Sequence, residues 1–331
     1  MRLFLLLALL TGLSNDRLTG AESTWSITAT TRFVSASETE GRIMLTTPDD
    51  FLRNLSPFDR AARLKTNGPV NPTDFTNFVA RQILPWSETD RQRLGGLSGM
   101  VSNRLAGWSL PLPETIWLIK TTGEEEGNTA YTRGAAIIIP VQMLAGESTR
   151  LERVLLHEIF HILSRQNSKL RNRLYAQIGF EPCGPVTLPA DYAARKITNP
   201  DAPISEHHFK GRAAGRELHL LPVLFSRETA YRAGDTRPFF AYLEFRLMEI
   251  AEAGGHWQPV LRAGQPAFHQ PAEVENFFTR IGRNTQYIIH PEEVLADNFV
   301  LLMLGDHDAP NPEILGRMSD TLRSTGKASA P

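Results

Sequence analysis

Residues 157–161 read His-Glu-Ile-Phe-His inside the apolar run Leu155, Leu156, Ile159, Phe160, Ile162 and Leu163. The spacing predicts a helix, and a helix this apolar must be buried, so the fold has to take three ionisable side chains inside with it. Positions i and i+4 lie one turn apart on one helix face, so His157 and His161 can grip one metal ion together. Glu158 sits beside them, where its carboxylate can accept a proton from water activated by that ion. Chance would produce H-E-x-x-H in roughly 2 of 100 such chains, so the string needs a partner motif before it carries a conclusion.

A catalytic zinc takes a third protein ligand and keeps one position open. The downstream segment His290-Pro-Glu-Glu-Val-Leu-Ala-Asp-Asn-Phe299 offers one. Pro291 suits the first position of a helix, and Val294, Leu295, Phe299, Leu301, Leu302 and Leu304 continue that helix as a buried one. Glu293 and Asp297 are i and i+4 and share a face. Glu293 can bind the metal while Asp297 accepts the ring N–H of a ligand histidine, His157 being the expected one. Glu293 is the only glutamate of the chain followed by Asp at this spacing. It stands at a helix start, where the dipole favours an ionised carboxylate. Glu292 points about 100° round the helix, off the face that Asp297 shares. Tyr287 and His290, just before this helix, are candidates to stabilise an oxyanion.

The pair H-E-x-x-H and E-x-x-x-D resembles the gluzincins, the thermolysin-like zinc metallopeptidases. The resemblance implies one Zn2+ per chain held by His157, His161 and Glu293, with Glu158 as general base and Asp297 orienting a histidine. It also implies a zincin-like unit, a small antiparallel sheet packed on the H-E-x-x-H helix. In gluzincins the edge strand before the zinc helix pairs with extended substrate, and the strand expected over residues 130–139 resembles it in position. An ordinary internal strand is the alternative. The gap between the two motifs is longer than in the best-known members, which leaves room for an inserted subdomain. A metzincin would carry Gly and His where this chain has Ser164 and Asn167, and the inverted H-x-x-E-H order is absent. His207, His208, His219 and His290 are the histidine alternatives to Glu293. The adjacent pair His207-His208 reads as an exposed loop feature and His290 as a helix-entry residue.

With 331 residues, 41% of them hydrophobic, the chain can build one large or two ordinary domains. A net charge of −1 without a basic stripe excludes nucleic acid as an expected partner. Cys183 is the only cysteine, which rules out an internal disulfide and a C-x-x-C metal site. Arg2, the apolar core Leu3 to Leu10 and small residues after it read as a signal peptide over residues 1–21, so export to the periplasm or medium is expected. That core is shorter than the ~20 residues needed to span a bilayer, and no later stretch is long enough.

Residues 22–110 read as a mainly helical subdomain. It opens with a Thr- and Ser-rich, β-branched stretch over residues 22–46 that reads as one or two strands or an extended arm, followed by helices from Thr47 (N-cap) with Pro48, over 72–84, and from Ser87 to Leu105. A zincin-like catalytic domain is expected over 111–305. It holds β-rich segments at Thr115–Thr121 and 130–139 around a solvated acidic turn, Glu124 to Glu126. Long loops are expected over 181–236 with a strand near Leu218 to Phe225, then a strand over Phe239 to Ile250, with a helix as the alternative there, and a helix over 273–281. From Asp306 the apolar period is lost, and 306–331 reads as a partly disordered tail. The expected fold is thus α+β, a zincin-like unit preceded by a helical subdomain. The expected activity is zinc-dependent hydrolysis of a peptide or protein substrate. A zinc hydrolase of another substrate, and a non-enzymatic exported module, are the alternatives.

Overall fold

The computed structural model describes residues 23–327 except Thr236 and Pro238. The signal-like segment 1–21 and the last residues of the tail therefore lie outside the described residues. Thr24–Ser26 (β1) and Arg32–Ser35 (β2) form an antiparallel pair. The chain does not stay extended to residue 46. Ser37 starts a helix, α1 (Glu38–Thr46), through a capping box with Glu40, and Thr47 ends it rather than starting the next. Asp49, Ser56, Asn71 and Ser87 then cap α2 (Asp50–Asn54), α3 (Pro57–Arg63), α4 (Pro72–Gln82) and α5 (Glu88–Leu105). Each cap is a short polar side chain accepting the N–H three residues on, which satisfies a donor the helix leaves free.

These helices are not a subdomain set before the sheet. They form the crossover between β2 and β3 (Thr115–Thr121), and a long crossover lets the two strands run parallel, with Arg32–Ser35 in register with Thr115–Leu118. The expected strand over 130–139 is a hairpin, β4 (Tyr131–Arg133) and β5 (Ala136–Pro140), because Gly134 at φ +58° opens a two-residue turn. The sheet order is β1-β2-β3-β5-β4, so the expected small antiparallel sheet is a mixed one with three parallel strands at its centre. β5, which leads toward the His157 helix, is internal, and β4 is the edge. Both faces are covered, which explains why β5 reads Ala-Ile-Ile-Ile-Pro without alternation. Ile138 and Ala136 pack on Leu45, Phe51, Phe75 and Val79 from α1, α2 and α4, while Ile137 and Ile139 face the main core. The acidic turn is solvated only at Glu124. Glu125 is 2% exposed and accepts the Thr121 hydroxyl, and Glu126 forms a two-point ion pair with Arg63.

A single turn, α6 (Val141–Leu144), leads into α7 (Ser148–Gln166), which carries the H-E-x-x-H string, and then α8 (Ser168–Gln177). Phe180–Pro182 (β6), a short helix α9 (Ala190–Arg195), His207–Ala213 (β7), Arg216–Ser226 (β8), Leu243–Ala253 (β9) and His256–Pro259 (β10) follow. Their strands make a second, antiparallel sheet in the order β10-β9-β8-β7-β6. His207 and His208 are therefore not an exposed loop pair but strand residues, 4% and 2% exposed. The helix expected over 273–281 shrinks to α10 (Phe277–Ile281) behind a 3-10 turn at Pro271–Glu273. α11 (Pro291–Leu304) follows and is closed by Gly305 at φ +68°, a left-handed cap that a side chain would disfavour. The apolar period lost at Asp306 resumes in α12 (Pro312–Lys327), which buries Ile314, Leu315, Met318 and Leu322. No helix among the described residues is long and apolar enough to cross a membrane.

The main core joins α7 to α11: Leu155, Leu156, Ile159, Phe160 and Leu163 meet Val294, Leu295 and Phe299. The Phe160 and Phe299 rings lie 5.6 Å apart, and neither residue is exposed. Phe160→Ala should lower unfolding free energy by about 3–5 kcal/mol, the cost of emptying a tightly packed aromatic site. Denaturant unfolding checks it, and a loss under 1 kcal/mol would mean that this contact does not join the two helices.

Candidate metal centre

α7 and α11 pack with their polar faces turned toward each other at one point. His157 and His161 come from α7, and Glu293, two residues beyond Pro291 in the first turn of α11, meets them. Glu293 Oε2 lies 3.1 Å from His157 Nε2 and 3.7 Å from His161 Nε2. Donor atoms of the three residues all lie within 4.8 Å of one another. Ligands about 2.0–2.1 Å from a tetrahedral zinc stand roughly 3.3 Å apart, a spacing that the two Glu293 distances bracket. His161 Nε2 is buried and has no hydrogen-bond partner among the described residues. Buried ring nitrogens rarely go unsatisfied, so an atom left free at the focus of such a cluster fits a ligand position. The residues therefore fit a zinc ion.

The outer nitrogens of both rings are tied down. His157 Nδ1–H donates to Asp297 Oδ1 at 3.0 Å, and the other Asp297 oxygen accepts the Thr285 hydroxyl. His161 Nδ1–H donates to Glu292 Oε1 at 3.0 Å. Glu292 is 2% exposed, and its second oxygen accepts Ser164 Oγ at 2.7 Å and Tyr175 OH at 2.5 Å. Being off the Asp297 face is what lets Glu292 do this: 100° round the helix, it reaches His161 from the far side while Glu293 faces the focus. Asn199 Nδ2 donates to Glu293 Oε1 at 2.5 Å and leaves Oε2 toward the histidines. Each of the three residues thus has one orienting partner, an arrangement that sets tautomer and basicity at metal sites.

Electrostatics follow from that crowding. Burial disfavours charge on His161, but Asp201, Glu293 and Glu292 outweigh it and push the ring up to about 9. Burial likewise works against charge on His157, and Asp297 and Glu293 outweigh it, so that ring is raised too. Burial also opposes ionisation of Glu293, yet the two imidazoles and Asn199 hold it down to about 2. A divalent cation can supply, in place of those ring protons, the positive charge that the carboxylates favour. Glu158 is 4% exposed, and burial followed by the Asp201 charge pushes it up to about 8. Its Oε2 is buried and unpartnered.

The remaining sequence candidates fall elsewhere. His290 is the N-cap of α11: its Nδ1 accepts the Glu292 N–H at 3.1 Å, and burial lowers it to about 4. Its ring lies beside Tyr175, and its Nδ1 is spent on the cap. Tyr287 is 45% exposed, and desolvation with the fields of Glu293, Asp201 and Glu158 raises its phenol, which stays protonated. His207 bonds Asn172, and His208 bonds His219, so none of these three joins the cluster. Asn199, Asp201, Thr285 and Tyr175 escaped sequence reading, and Glu292 was read only as lying off the Asp297 face. Only Glu292 had a legible signal, a second acid in the first helical turn; the Asn-Pro-Asp run at 199–201 reads merely as a turn. Glu292→Gln should weaken zinc binding about 10- to 100-fold with the fold retained, as for other partners of ligand histidines. Chelator competition measures this, and unchanged affinity would separate Glu292 from ligand orientation.

No protein-family model, no curated protein and no solved structure compared with this chain matches it.

Proposed function

We propose that the protein is a zinc-dependent peptidase with a zincin-like centre, in which His157, His161 and Glu293 hold the ion. The observation that carries this reading is the convergence of these three donors beside a buried, unpartnered Glu158 carboxylate. Zinc at that point would lower the pKa of water toward ~7 and polarise a substrate carbonyl. Glu158 accepts the water proton at its free oxygen and passes it to the leaving amine. Tyr287, whose phenol stays protonated in the field of Glu293, Asp201 and Glu158, is the proposed donor to the developing oxyanion. Asp297, Glu292 and Asn199 hold the ligand side chains in register.

The β4 edge is not offered as the platform for substrate. The Thr132 N–H on its free side is already taken by Asp201 Oδ1 at 2.8 Å. The reading is tested by digesting a peptide library with the zinc-loaded protein, with and without a chelator. Cleavage that chelation stops and zinc restores is expected. Absence of any cleaved peptide from a protein carrying one zinc would overturn it.

A further inference from the structure

One carboxylate at this centre has no role among the ligands, their partners or the base. Asp201 comes from the connection between α9 and β7, and its side chain is 8% exposed. Thr132 donates both its N–H, at 2.8 Å, and its hydroxyl, at 2.5 Å, to Asp201 Oδ1. The nearest cation, Arg165 Nη2, stands 3.8 Å from that same oxygen and donates to the Thr132 hydroxyl and to the Pro200 and Asp201 carbonyls. Among the described residues no hydrogen bond reaches Oδ2. Asp201, Glu158 and His161 form a second group whose donor atoms lie within 4.8 Å of one another. Glu158, 4% exposed with its own Oε2 unpartnered, points into the same space.

That space is rich in acceptors: the Asp201 carboxylate and the buried Glu158 carboxyl share it, and Arg165 Nη2 stands 3.8 Å from Asp201 Oδ1. A second metal is a poor occupant. His161 Nε2 is the only nitrogen in the group and can serve one ion, so two carboxylates would be left to hold the other. An ammonium group suits better, since it brings positive charge and three N–H donors to acceptors that have none.

We infer that Asp201 Oδ2 is the subsite for an ammonium group carried by the substrate beside the scissile bond. This rests on the peptidase reading for its setting, though not for its test. Either the free α-ammonium of a peptide N-terminus or a lysine side chain carries that chemistry.

The experiment uses the zinc-loaded full chain and three small probes: leucinol, N-acetyl-leucinol and N-acetyl-lysinol. Binding is followed by calorimetry. A charge-assisted contact at a buried carboxylate is expected to give at least a ~10-fold tighter dissociation constant for a charged probe than for N-acetyl-leucinol. Preference for leucinol assigns the α-ammonium, and preference for N-acetyl-lysinol the side chain. In Asp201→Asn, with zinc still one per chain, the ratio should collapse toward one. Equal binding of all three probes to the unmodified protein overturns the inference whether or not the variant folds, as does a preference that survives the substitution. Matched peptides, free, acetylated and acetylated with lysine, are digested in parallel. Charged-probe preference without any cleavage would leave the subsite standing and remove the peptidase reading. Cleavage without preference would do the reverse.

Discussion

Zinc should be lost from His161→Ala. The unmodified protein is expected to carry one zinc per chain and the variant well under a tenth of that after dialysis. Structural zinc binding amounts to about 10–16 kcal/mol at neutral pH, so removing one of three protein ligands costs on the order of 3–5 kcal/mol, or about 10²- to 10⁴-fold in affinity. His161 is the informative position because it is fully buried and its Nε2 has no other partner. Elemental analysis with chelator competition measures the outcome, and a full zinc complement in the variant would remove His161 from the ligand set.

Affinity in the unmodified protein should also depend on pH with a definite sign. Both rings are raised, His161 to about 9, so below that pH zinc must displace ring protons to bind. Binding strengthens as pH rises toward 9, by about 10-fold per pH unit for each proton released, and weakens in acid. An affinity flat from pH 6 to 8 would contradict the ligand assignment.

Glu158→Gln separates chemistry from binding. It keeps the size of the side chain and removes no ligand, so zinc should stay at one per chain. Activity should fall about 10²- to 10⁴-fold, the range of general acid–base catalysis. Stability should move the other way. Burial first and then Asp201 raise Glu158 from 4.5 to about 8, so between those values the folded chain holds a proton that the unfolded chain has released. Stability then falls as pH rises through that window, and above it the buried charge remains a full penalty. Glutamine carries no such charge, so the metal-free variant should be more stable than the unmodified chain above about pH 4.5, with a gap that widens to about pH 8. Thermal unfolding across pH tests this. A variant that is both active and no more stable would place the proton transfer elsewhere.

Much of the centre was legible because helices write their faces into sequence. His157, His161, Glu293 and Asp297 are placed by i and i+4 spacing within two strongly apolar segments, and the local period survives whatever the rest of the chain does. The misreadings came where local signals compete. Residues 22–46 read as one or two strands or an extended arm; two strands form in the first part, but Ser37 and Glu40 make a capping box and turn the rest into α1. The strand over 130–139 had the right composition along its length, and one glycine, Gly134, folds it back on itself. His207 and His208 looked polar enough for a loop, yet each has a partner across space that composition cannot reveal.

What sequence alone determined is the identity of the two helices and the side chains each presents on one face, since a 3.6-residue period is a local property. What tertiary structure decided is everything that depends on pairing across the chain. The five N-terminal helices became a crossover because β2 found β3 as a parallel neighbour. Glu292 became the partner of His161 because α11 docks against α7 at one rotation and not another. Asp201 entered the centre because Thr132 on the β4 edge holds it there. Contacts between residues far apart in sequence are chosen by packing and by the need to satisfy buried polar atoms, and neither leaves a period to read.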